Sequence, residues 1–271
     1  MRPLSLSIVT PSFNQAEFLE TAMESVLSQR YPALEYVVMD GGSTDGSVEI
    51  IKRHEAQIAG WTSGPDGGHY AAVNAGFART SGEIMAWLNA DDQYLPWTFS
   101  VVAEVFEQCP EIEWVTTRWP LRWDKRGRAV RCAARPGYSR EAFFRGEYLP
   151  GEGRAVIQQE STFWRRTLWE RAGAKLDVGY PLGGDFELWA RFFKLTELFA
   201  IDTPLGGFRV HGEQRSARQR EQYTSDVQRA LLQHGGRLPA PWDRMVPRRH
   251  SAKIVRFNKN TEMWVIETVR I

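Results

Sequence analysis

The sequence predicts an α/β fold with a mostly parallel, Rossmann-like sheet that is flanked by helices. Apolar runs of strand length alternate with helix-periodic runs from the N-terminus to about residue 109. Such repeated strand–helix units form parallel sheets, because each crossover helix covers one face of the sheet. In addition, acidic or amide residues follow three of the apolar runs, at the edge where open α/β sheets bind ligands.

The first half of the chain is predicted to contain four strands and four helices. Leu4, Leu6 and Ile8 alternate with serines, which is the pattern of a half-buried strand. Asp45 is a candidate N-cap for the second helix, and Pro96 suits the opening of the fourth. The predicted strands cover residues 4–9, 34–39, 58–62 and 83–88, and the predicted helices cover residues 18–27, 48–51, 70–79 and 96–108.

The strand–helix rhythm ends after residue 110. Residues 114–123 and 128–132 flank the turn sequence DKRG, a pattern that predicts a β-hairpin. Residues 211–233 predict a long polar helix, and the three prolines within 238–247 predict a linker. Shorter elements are predicted between these regions, namely a strand at 160–164 and helices at 140–146, 167–171 and 186–193.

Composition excludes several classes of protein. The chain has 271 residues, of which 42% are hydrophobic, and this is enough for one large core. Its net charge of +1 gives no support for nucleic-acid binding. No run approaches the roughly 18 apolar residues of a membrane span, and the N-terminus does not resemble a secretory signal. Cys109 and Cys132 suggest two buried thiols in a reducing compartment, so we expect a cytoplasmic protein.

The C-terminal segment differs from the rest of the chain. Residues 237–271 contain eight Lys or Arg and three Asp or Glu, a net charge of +5, whereas the remainder carries −4. We therefore expect 237–271 to form a basic, aromatic extension. Basic residues beside Trp242, Phe257 and Trp264 suit peripheral binding to anionic lipid at the inner face of a membrane. The alternative is a solvated face whose aromatic side chains pack on the main domain.

Four ordered motifs contain the polar residues of the predicted sheet edge. The sequence has neither a GxGxxG dinucleotide fingerprint after the first strand nor a GxxxxGK[ST] P-loop. It has instead TPSFNQ at 10–15, DGGSTDG at 40–46, GPDGGHYAAVNAG at 64–76 and WLNADD at 87–92. This order resembles the family 2 glycosyltransferases of GT-A fold, over residues 4 to about 212. The resemblance implies a GT-A domain over 1–236, with a nucleotide-binding half (1–109) and an acceptor-binding half (110–236).

The resemblance implies that the turns after the first strands hold a nucleotide sugar. Asp40 is expected to bond to the nucleobase, and the two glycines after it let the backbone approach a base or ribose closely. The alternatives are that Asp40 and Asp66 only stabilise their own turns, and that Glu17 is a first-turn glutamate favoured by the helix dipole. The expected nucleotide-binding residues are Thr10, Pro11, Ser12, Asn14, Glu17, Asp40, Gly41, Asp66, Asn89 and Ala90.

The segment NADD after the fourth strand matches the position of the family's DxD motif, with Asn89 in place of the first acid. Mg²⁺ and Mn²⁺ prefer oxygen ligands, and a diphosphate fills further positions, so one or two protein carboxylates suffice. Asp91 is the first expected metal ligand and Asp92 the second. His211, which ends the segment FRVH, is expected to bind the metal or the diphosphate; a structural histidine is the alternative. The expected cofactor is therefore Mn²⁺ or Mg²⁺.

The segment GGDFELWAR resembles the family's second motif, in which an Asp at the head of a helix faces the acceptor. The resemblance assigns Asp185 as the general base, and Gly184 stands where the family commonly has Glu. The alternatives are that Asp185 is only the helix N-cap and that Glu187 is the base. Glu160, in the segment QQESTFWR, and Arg209 are expected on the donor or acceptor side of the site.

The resemblance implies an inverting, metal-dependent glycosyltransferase. It would move a sugar from a nucleotide-sugar donor, with UDP as the expected nucleotide, to a hydroxyl of a saccharide or lipid-linked saccharide in surface polysaccharide synthesis. Two other functions stay open. One is a catalytically silent module that binds a sugar nucleotide or a glycan on the same fold. The other is a nucleotidyltransferase, which needs a basic, glycine-rich triphosphate loop that residues 12–18 do not offer.

Overall fold

The computed structural model describes residues 2–151, 156–240 and 250–271. Its strands are β1 (Leu6–Ser12), β2 (Leu34–Asp40), β3 (Gly60–Ser63), β4 (Ile84–Trp87), β5 (Gln93–Tyr94), β6 (Trp114–Thr117), β7 (Leu121–Trp123), β8 (Ala129–Cys132), β9 (Phe163–Arg165), β10 (Phe199–Ile201), β11 (Gly206–Arg209), β12 (Ser251–Asn258) and β13 (Met263–Arg270). Its helices are α1 (Ala16–Leu27), α2 (Ser47–Arg53), α3 (His69–Phe77), α4 (Thr98–Gln108), α5 (Arg140–Phe144), α6 (Arg166–Arg171), α7 (Gly184–Leu195), α8 (Arg215–Arg218) and α9 (Arg220–Gln233). All the strands and helices predicted for the first half of the chain are present, with ends that differ by a few residues.

The described residues build a central nine-stranded sheet in the order β13–β12–β10–β6–β9–β4–β1–β2–β3. Strands β3, β2, β1 and β4 pair in parallel, and β6, β10 and β12 do so as well. Strand β9 lies between β4 and β6 and is antiparallel to both, and β13 is antiparallel to β12. The prediction of an α/β fold with a mostly parallel sheet is confirmed.

A smaller sheet in the order β5–β11–β7–β8 adjoins the carboxyl edge of the central sheet, because β5 follows β4 and β11 follows β10 after short connections. Strands β7 and β8 form the predicted hairpin. The Oδ1 atom of Asp124 accepts the backbone N–H groups of Arg126 and Arg128, both at 2.9 Å, and this closes the turn. The first predicted arm is divided, since residues 114–117 belong to the central sheet and residues 121–123 to the smaller one.

Stacked tryptophans fix α7 on the central sheet. Trp87, Trp114, Trp164 and Trp189 are fully buried in one of the two hydrophobic clusters of the described residues. Trp189 of α7 stacks on Trp87 with 6.1 Å between ring centroids, and it meets Trp164 edge-on at 5.8 Å. Both arrangements are favoured by the aromatic quadrupole. The high tryptophan content is therefore used in part to hold the helix that begins beside Asp185.

Three local predictions were wrong. The segment 160–164 is not one strand, because Gln159–Ser161 forms a 3₁₀ turn before β9. The polar helix predicted from 211 begins only at 215 and breaks at Gln219, because the backbone of Gln214 is extended. Cys132 is exposed, since every residue of the edge strand β8 faces solvent, whereas Cys109 is buried as predicted.

The C-terminal hairpin β12–β13 is part of the central sheet, with β12 parallel to β10. Trp264 of β13 is 7% exposed, and its indole N–H donates to Glu104 of α4 at 3.0 Å. Arg256 donates to Asp202 at 2.8 Å and to Glu267 at 2.7 Å. The contacts of Trp264 agree with the second interpretation of residues 237–271, in which aromatic side chains of the segment pack on the main domain.

Three of the eight basic residues of the C-terminal segment are not described. Trp242 and the arginines at 244, 248 and 249 lie outside the described residues, as does most of the linker predicted at 238–247. Phe257 is exposed on β12. None of the helices within the described ranges is long and apolar enough to cross a lipid bilayer.

Trp264→Ala tests whether the C-terminal hairpin stabilises the fold. The substitution removes a buried aromatic side chain and the hydrogen bond to Glu104, so we expect a loss of about 3–5 kcal/mol in the free energy of unfolding. Met263→Ala is the control, because Met263 is the adjacent residue and is exposed. Urea denaturation measures both variants, and equal stability of the two would contradict the assignment.

Candidate active site

A cavity of about 900 Å³ lies at the carboxyl edge of the central sheet. The turns after β1, β2, β3 and β4 form one side of it, and β7, β8 and the start of α7 contribute to the other. The cavity therefore lies where parallel strands end, as the sequence predicts. Its lining includes Pro11, Ser12, Gly41, Asp66, Asn89, Ala90, Asp91, Arg122, Arg131, Arg135, Glu160, Asp185, His211 and Arg215.

The turns after β1, β2 and β3 come close together at one end of the cavity. A Cβ atom on Gly41 would lie 3.1 Å from Oδ2 of Asp66 and 3.3 Å from the ring of Phe13, so a larger residue here would have to displace these side chains. Asp66 also closes its own turn, because its Oδ1 accepts the N–H of Gly68 at 2.7 Å. The second oxygen of Asp66 thus stays beside Gly41, facing the cavity.

Asp40 is buried beneath this end and is fully used by its own turn. Its Oδ2 accepts the N–H groups of Gly42 at 3.0 Å and Ser43 at 2.9 Å, and also the hydroxyl of Ser63 at 2.6 Å. Its Oδ1 accepts the hydroxyl of Ser43. Asp40 does not line the cavity. These bonds match the alternative in which the carboxylate stabilises the turn.

Three other residues expected at the nucleotide lie outside the cavity lining. Thr10 is buried, and its Oγ1 accepts the hydroxyl of Tyr36 at 2.9 Å. Asn14 accepts the N–H of Thr44 through its side chain at 2.9 Å. Glu17 is exposed and pairs with Lys125 at 2.8 Å. The structure therefore gives all three a structural role: Thr10 links β1 to β2, Asn14 links the turns after these strands, and Glu17 links α1 to the hairpin turn.

Asp91 and His211 face each other across the cavity floor. Oδ2 of Asp91 lies 3.0 Å from Nε2 of His211. The N–H of Glu213 donates to Nδ1 of His211 at 3.3 Å, so Nε2 is the ring nitrogen that donates to Asp91. The ring of Phe18 packs on the imidazole with 4.6 Å between centroids. The predicted proximity of these two candidate metal ligands is thus present.

Asp92 and Arg209 form a buried layer behind this pair. Asp92 is 1% exposed, and its Oδ1 accepts the backbone N–H of Arg209 at 2.9 Å. Nε of Arg209 donates to the carbonyl oxygen of Asp91 at 2.6 Å. Burial and the charge of Asp91 raise the pKa of Asp92 well above its usual range. Neither Asp92 nor Arg209 lines the cavity, because both side chains are turned into the protein to hold the turn that carries Asp91.

Asp185 faces the cavity from the first turn of α7. The N-cap of α7 is Gly183, so the N-cap alternative for Asp185 is wrong. Oδ1 of Asp185 accepts the N–H of Phe186 at 2.8 Å and lies 3.4 Å from the hydroxyl of Tyr70. Burial raises the pKa of Asp185 to about 6, despite these hydrogen bonds. The carboxylate can therefore accept a proton near neutral pH.

Tyr70 explains the glycine that precedes Asp185. A Cβ atom on Gly184 would lie 2.7 Å from the Tyr70 ring, which is too close for any other residue. Glycine at this position therefore allows the ring to reach the carboxylate. The sequence analysis missed Tyr70, although it belongs to the segment that carries Asp66 in the motif of residues 64–76.

Glu187 does not reach the cavity. It pairs with Arg191 at 2.7 Å and with His234 at 2.9 Å. Burial raises the pKa of Glu187, but the hydrogen bonds from His234 and Arg191 bring it below its usual value. The structure therefore gives Glu187 the role of fixing α7, and the base alternative on this residue has no geometric support.

Glu160 is a buried acid inside the cavity. It is 3% exposed, and its Oε1 has no hydrogen-bond partner among the described residues. Burial raises the pKa of Glu160 to about 8, with the charges of Asp91 and Asp185 acting in the same direction. Glu160 is therefore protonated at neutral pH and presents an O–H donor to the cavity.

A group of arginines lines the cavity that the sequence analysis did not single out. Arg122 and Arg131 lie on the hairpin β7–β8, Arg135 follows it, and Arg215 opens α8. The nearest signal in the sequence was the predicted hairpin itself, with an arginine on each arm. Which face of the hairpin meets the cavity is set by tertiary packing, so the pattern alone did not identify them.

Comparisons with known proteins agree with this architecture. The sequence profile described as Glycosyl transferase family 2 matches residues 7–170. An uncharacterized glycosyltransferase of Mycobacterium tuberculosis (strain CDC 1551 / Oshkosh) is 30% identical over 210 residues, which cover 77% of this chain and 76% of the relative.

Solved structures show the same fold. S. aureus TarS 1–349 in complex with UDP superposes with a TM-score of 0.61 at 14% identity, covering 85% of this chain and 65% of that one. The mannosyltransferase PcManGT from Pyrobaculum calidifontis, in complex with GDP-Man and Mn²⁺, gives 0.63 at 19% identity, covering 90% and 68%. These structures have the GT-A fold, and the fold of this chain is of that type. The profile match and the 30% identical relative establish that the chain belongs to the family 2 glycosyltransferases.

Proposed function

We propose that the chain transfers a sugar, with inversion, from a nucleotide-sugar donor to a hydroxyl of a saccharide or lipid-linked saccharide in surface polysaccharide synthesis. One observation carries the proposal: Asp185, with a pKa of about 6, faces the same cavity as the Asp91–His211 pair. A base near the operating pH and a cation-binding pair are the two elements that a single displacement needs.

Asp185 is the proposed general base. Its carboxylate takes the proton of the acceptor hydroxyl as the oxygen attacks the anomeric carbon, on the face opposite the leaving nucleotide. The Tyr70 hydroxyl, 3.4 Å from Oδ1, restricts the orientation of the carboxylate. Because one displacement occurs, the configuration at the anomeric carbon inverts.

Glu160 has the complementary role of a neutral donor. At pH 7 its carboxyl group is protonated, so it does not compete with Asp185 for the acceptor proton. Its O–H group is free to bond to a sugar hydroxyl in the cavity. In many active sites two carboxyl groups have different environments and therefore different pKa values, so that one is protonated while the other acts as the base.

Asp91 and His211 fit a divalent cation as a partial ligand set. They offer a carboxylate oxygen and the imidazole Nε2, 3.0 Å apart. Nε2 would become a ligand once a cation displaces the proton that it shares with Asp91. The described residues contain no group of three or more His, Cys, Asp or Glu that would hold a metal alone. The donor diphosphate would therefore complete the ligand set. When bound, Mn²⁺ or Mg²⁺ supplies positive charge that stabilises the leaving nucleoside diphosphate.

The donor nucleotide is proposed to be UDP. Its base and ribose would meet the end of the cavity formed by Pro11, Ser12, Gly41 and Asp66. Support comes from TarS, solved in complex with UDP, whereas the mannosyltransferase PcManGT was solved with GDP-Man. The donor sugar would then lie between the nucleotide and the acceptor hydroxyl, with Asp185 on the acceptor side.

Asp185→Asn tests the base. We expect kcat to fall by about 10²–10⁴-fold, because the amide cannot accept the proton. In the unmodified enzyme the base must be ionised, so kcat should fall about tenfold per pH unit below about 6 and level off above it. The measurement is the pH profile of kcat in both forms, with UDP binding as the control for folding. If kcat of Asp185→Asn still falls at acidic pH as in the unmodified enzyme, Asp185 is not the base.

Inversion is checked on the product itself. One-dimensional proton NMR of the first product formed gives the anomeric coupling constant, which is compared with that of the donor. We expect the opposite anomer, because a single displacement at the anomeric carbon inverts its configuration. A product with the donor's configuration would rule out the single displacement.

Asp91→Asn tests the metal. In the unmodified protein, UDP should raise Tm, and Mn²⁺ should increase that shift, since a ligand at a hundredfold excess over its Kd adds about 2.7 kcal/mol. Asp91→Asn should remove the Mn²⁺-dependent part only. The control is Asp177→Asn, because Asp177 lies outside the cavity. An unchanged Mn²⁺ effect in Asp91→Asn would place the metal elsewhere. The same Tm measurement with GDP, dTDP and CMP in place of UDP compares the nucleobases.

A further inference from the structure

Two arginines face each other directly on the hairpin that lines the cavity. Arg122 of β7 and Arg131 of β8 are cross-strand partners, so their side chains emerge on the same face. Both line the cavity, and both are exposed. Like charges at directly opposed positions destabilise an antiparallel pair. The pairing therefore costs stability unless an anion lies between the two guanidinium groups.

Arg135 adds a third positive charge to the same wall. It follows β8 and lines the cavity, and its Nε is buried with no hydrogen-bond partner among the described residues. A buried guanidinium N–H without a partner is costly. Arg122, Arg131 and Arg135 are named here the arginine wall.

The described residues provide no ion-pair partner for the arginine wall. Within the described residues, no side chain of the wall forms an ion pair or a side-chain hydrogen bond. On the same hairpin, by contrast, Arg128 pairs with Asp124 at 2.6 Å. Arginine is well suited to carboxylate and phosphate, because its planar fork matches their oxygens. The missing partner of the wall is therefore an anion of this kind.

We propose that the arginine wall binds an anionic group, a phosphate or a carboxylate, on the acceptor substrate. The inference rests on the proposed glycosyl transfer. The wall belongs to the smaller sheet, whereas the turns proposed for the nucleotide belong to β1, β2, β3 and β4. In the proposed function the donor diphosphate is met by a cation at the Asp91–His211 pair. The anion that meets the wall is thus carried by the other substrate.

The test uses the full chain and three small probes with one sugar ring in common, namely glucose, glucose 6-phosphate and glucuronate. Each is titrated calorimetrically in the presence of saturating UDP and Mn²⁺. We expect at least one anionic probe to bind about ten- to hundredfold more tightly than glucose, since hydrogen bonds to charged groups contribute about 1.5–3 kcal/mol. The two anionic probes distinguish phosphate from carboxylate.

The matched variants are Arg131→Gln and Arg126→Gln, with Arg122→Gln as a second variant of the wall. Arg126 is an exposed arginine in the turn of the same hairpin and does not line the cavity. Arg131→Gln and Arg122→Gln should lose the preference for the anionic probe, and Arg126→Gln should keep it. The Tm shift with UDP and Mn²⁺ should be the same in all forms.

Three results would overturn the inference. Equal binding of glucose and both anionic probes to the unmodified chain means that the wall binds no anion of this class. Retention of the preference in both wall variants means that the anion binds elsewhere. Loss of the UDP shift in Arg131→Gln means that the wall holds the donor diphosphate. If UDP binds to none of the forms, the proposed function itself fails, and this outcome is separate from the other three.

Discussion

The site depends on a buried connection between the turn after β4 and strand β11. Asp92 accepts the backbone N–H of Arg209, and Arg209 in turn donates to the carbonyl oxygen of Asp91. Asp92 and Arg209 are almost completely buried, so breaking either bond would leave a polar group without a partner, at a cost of about 1–3 kcal/mol or more. The two sheets are thereby joined at one point, and His211, two residues beyond Arg209, meets Asp91 at that point.

Close approaches through glycine determine the other side of the cavity. Gly184 allows the Tyr70 ring to reach Asp185, and Gly41 allows Asp66 to contact the turn after β2. A Cβ atom on Gly184 would lie 2.7 Å from the Tyr70 ring, which excludes a side chain there, and one on Gly41 would lie 3.1 Å from Asp66, which is a tight contact. The tryptophan stack beneath α7 then fixes the helix that carries Asp185. The same stack includes Trp87, the last residue of β4, so the strand that leads to Asp91 and the helix that carries Asp185 pack on each other.

Much of the fold follows from the sequence, because its strand and helix signals are local. Alternating apolar residues and helix-periodic runs gave the first four strands and helices, and these elements place the cavity at the correct sheet edge. The C-terminal hairpin was not foreseen, since charge and aromatic content do not reveal that β12 pairs with β10. Pairing between residues so far apart in the chain depends on the assembled sheet and has no local signature.

The site was less accessible to sequence reasoning, because adjacent residues of one motif have opposite roles. Asp91 faces the cavity, whereas the next residue, Asp92, is buried behind it. Asp40 likewise belongs to a recognised motif, but all its described bonds are to its own turn and to Ser63. A motif identifies which turn approaches the ligand, and the hydrogen bonds of the folded chain decide which of its side chains reaches it.

Glu160 lies among the charged residues of the cavity, and burial favours its neutral form. Asp91 and Asp185 are acidic, and the arginine wall is basic. Glu160 lies close enough to Asp91, Asp185 and Arg122 for its pKa to respond to their charges. An ionised Glu160 would attract Arg122 and would reduce the affinity of the wall for an external anion. Burial prevents this, because the pKa of about 8 leaves Glu160 protonated at neutral pH. Burial of the Glu160 carboxyl group thus disfavours its ionised form and an internal ion pair with Arg122.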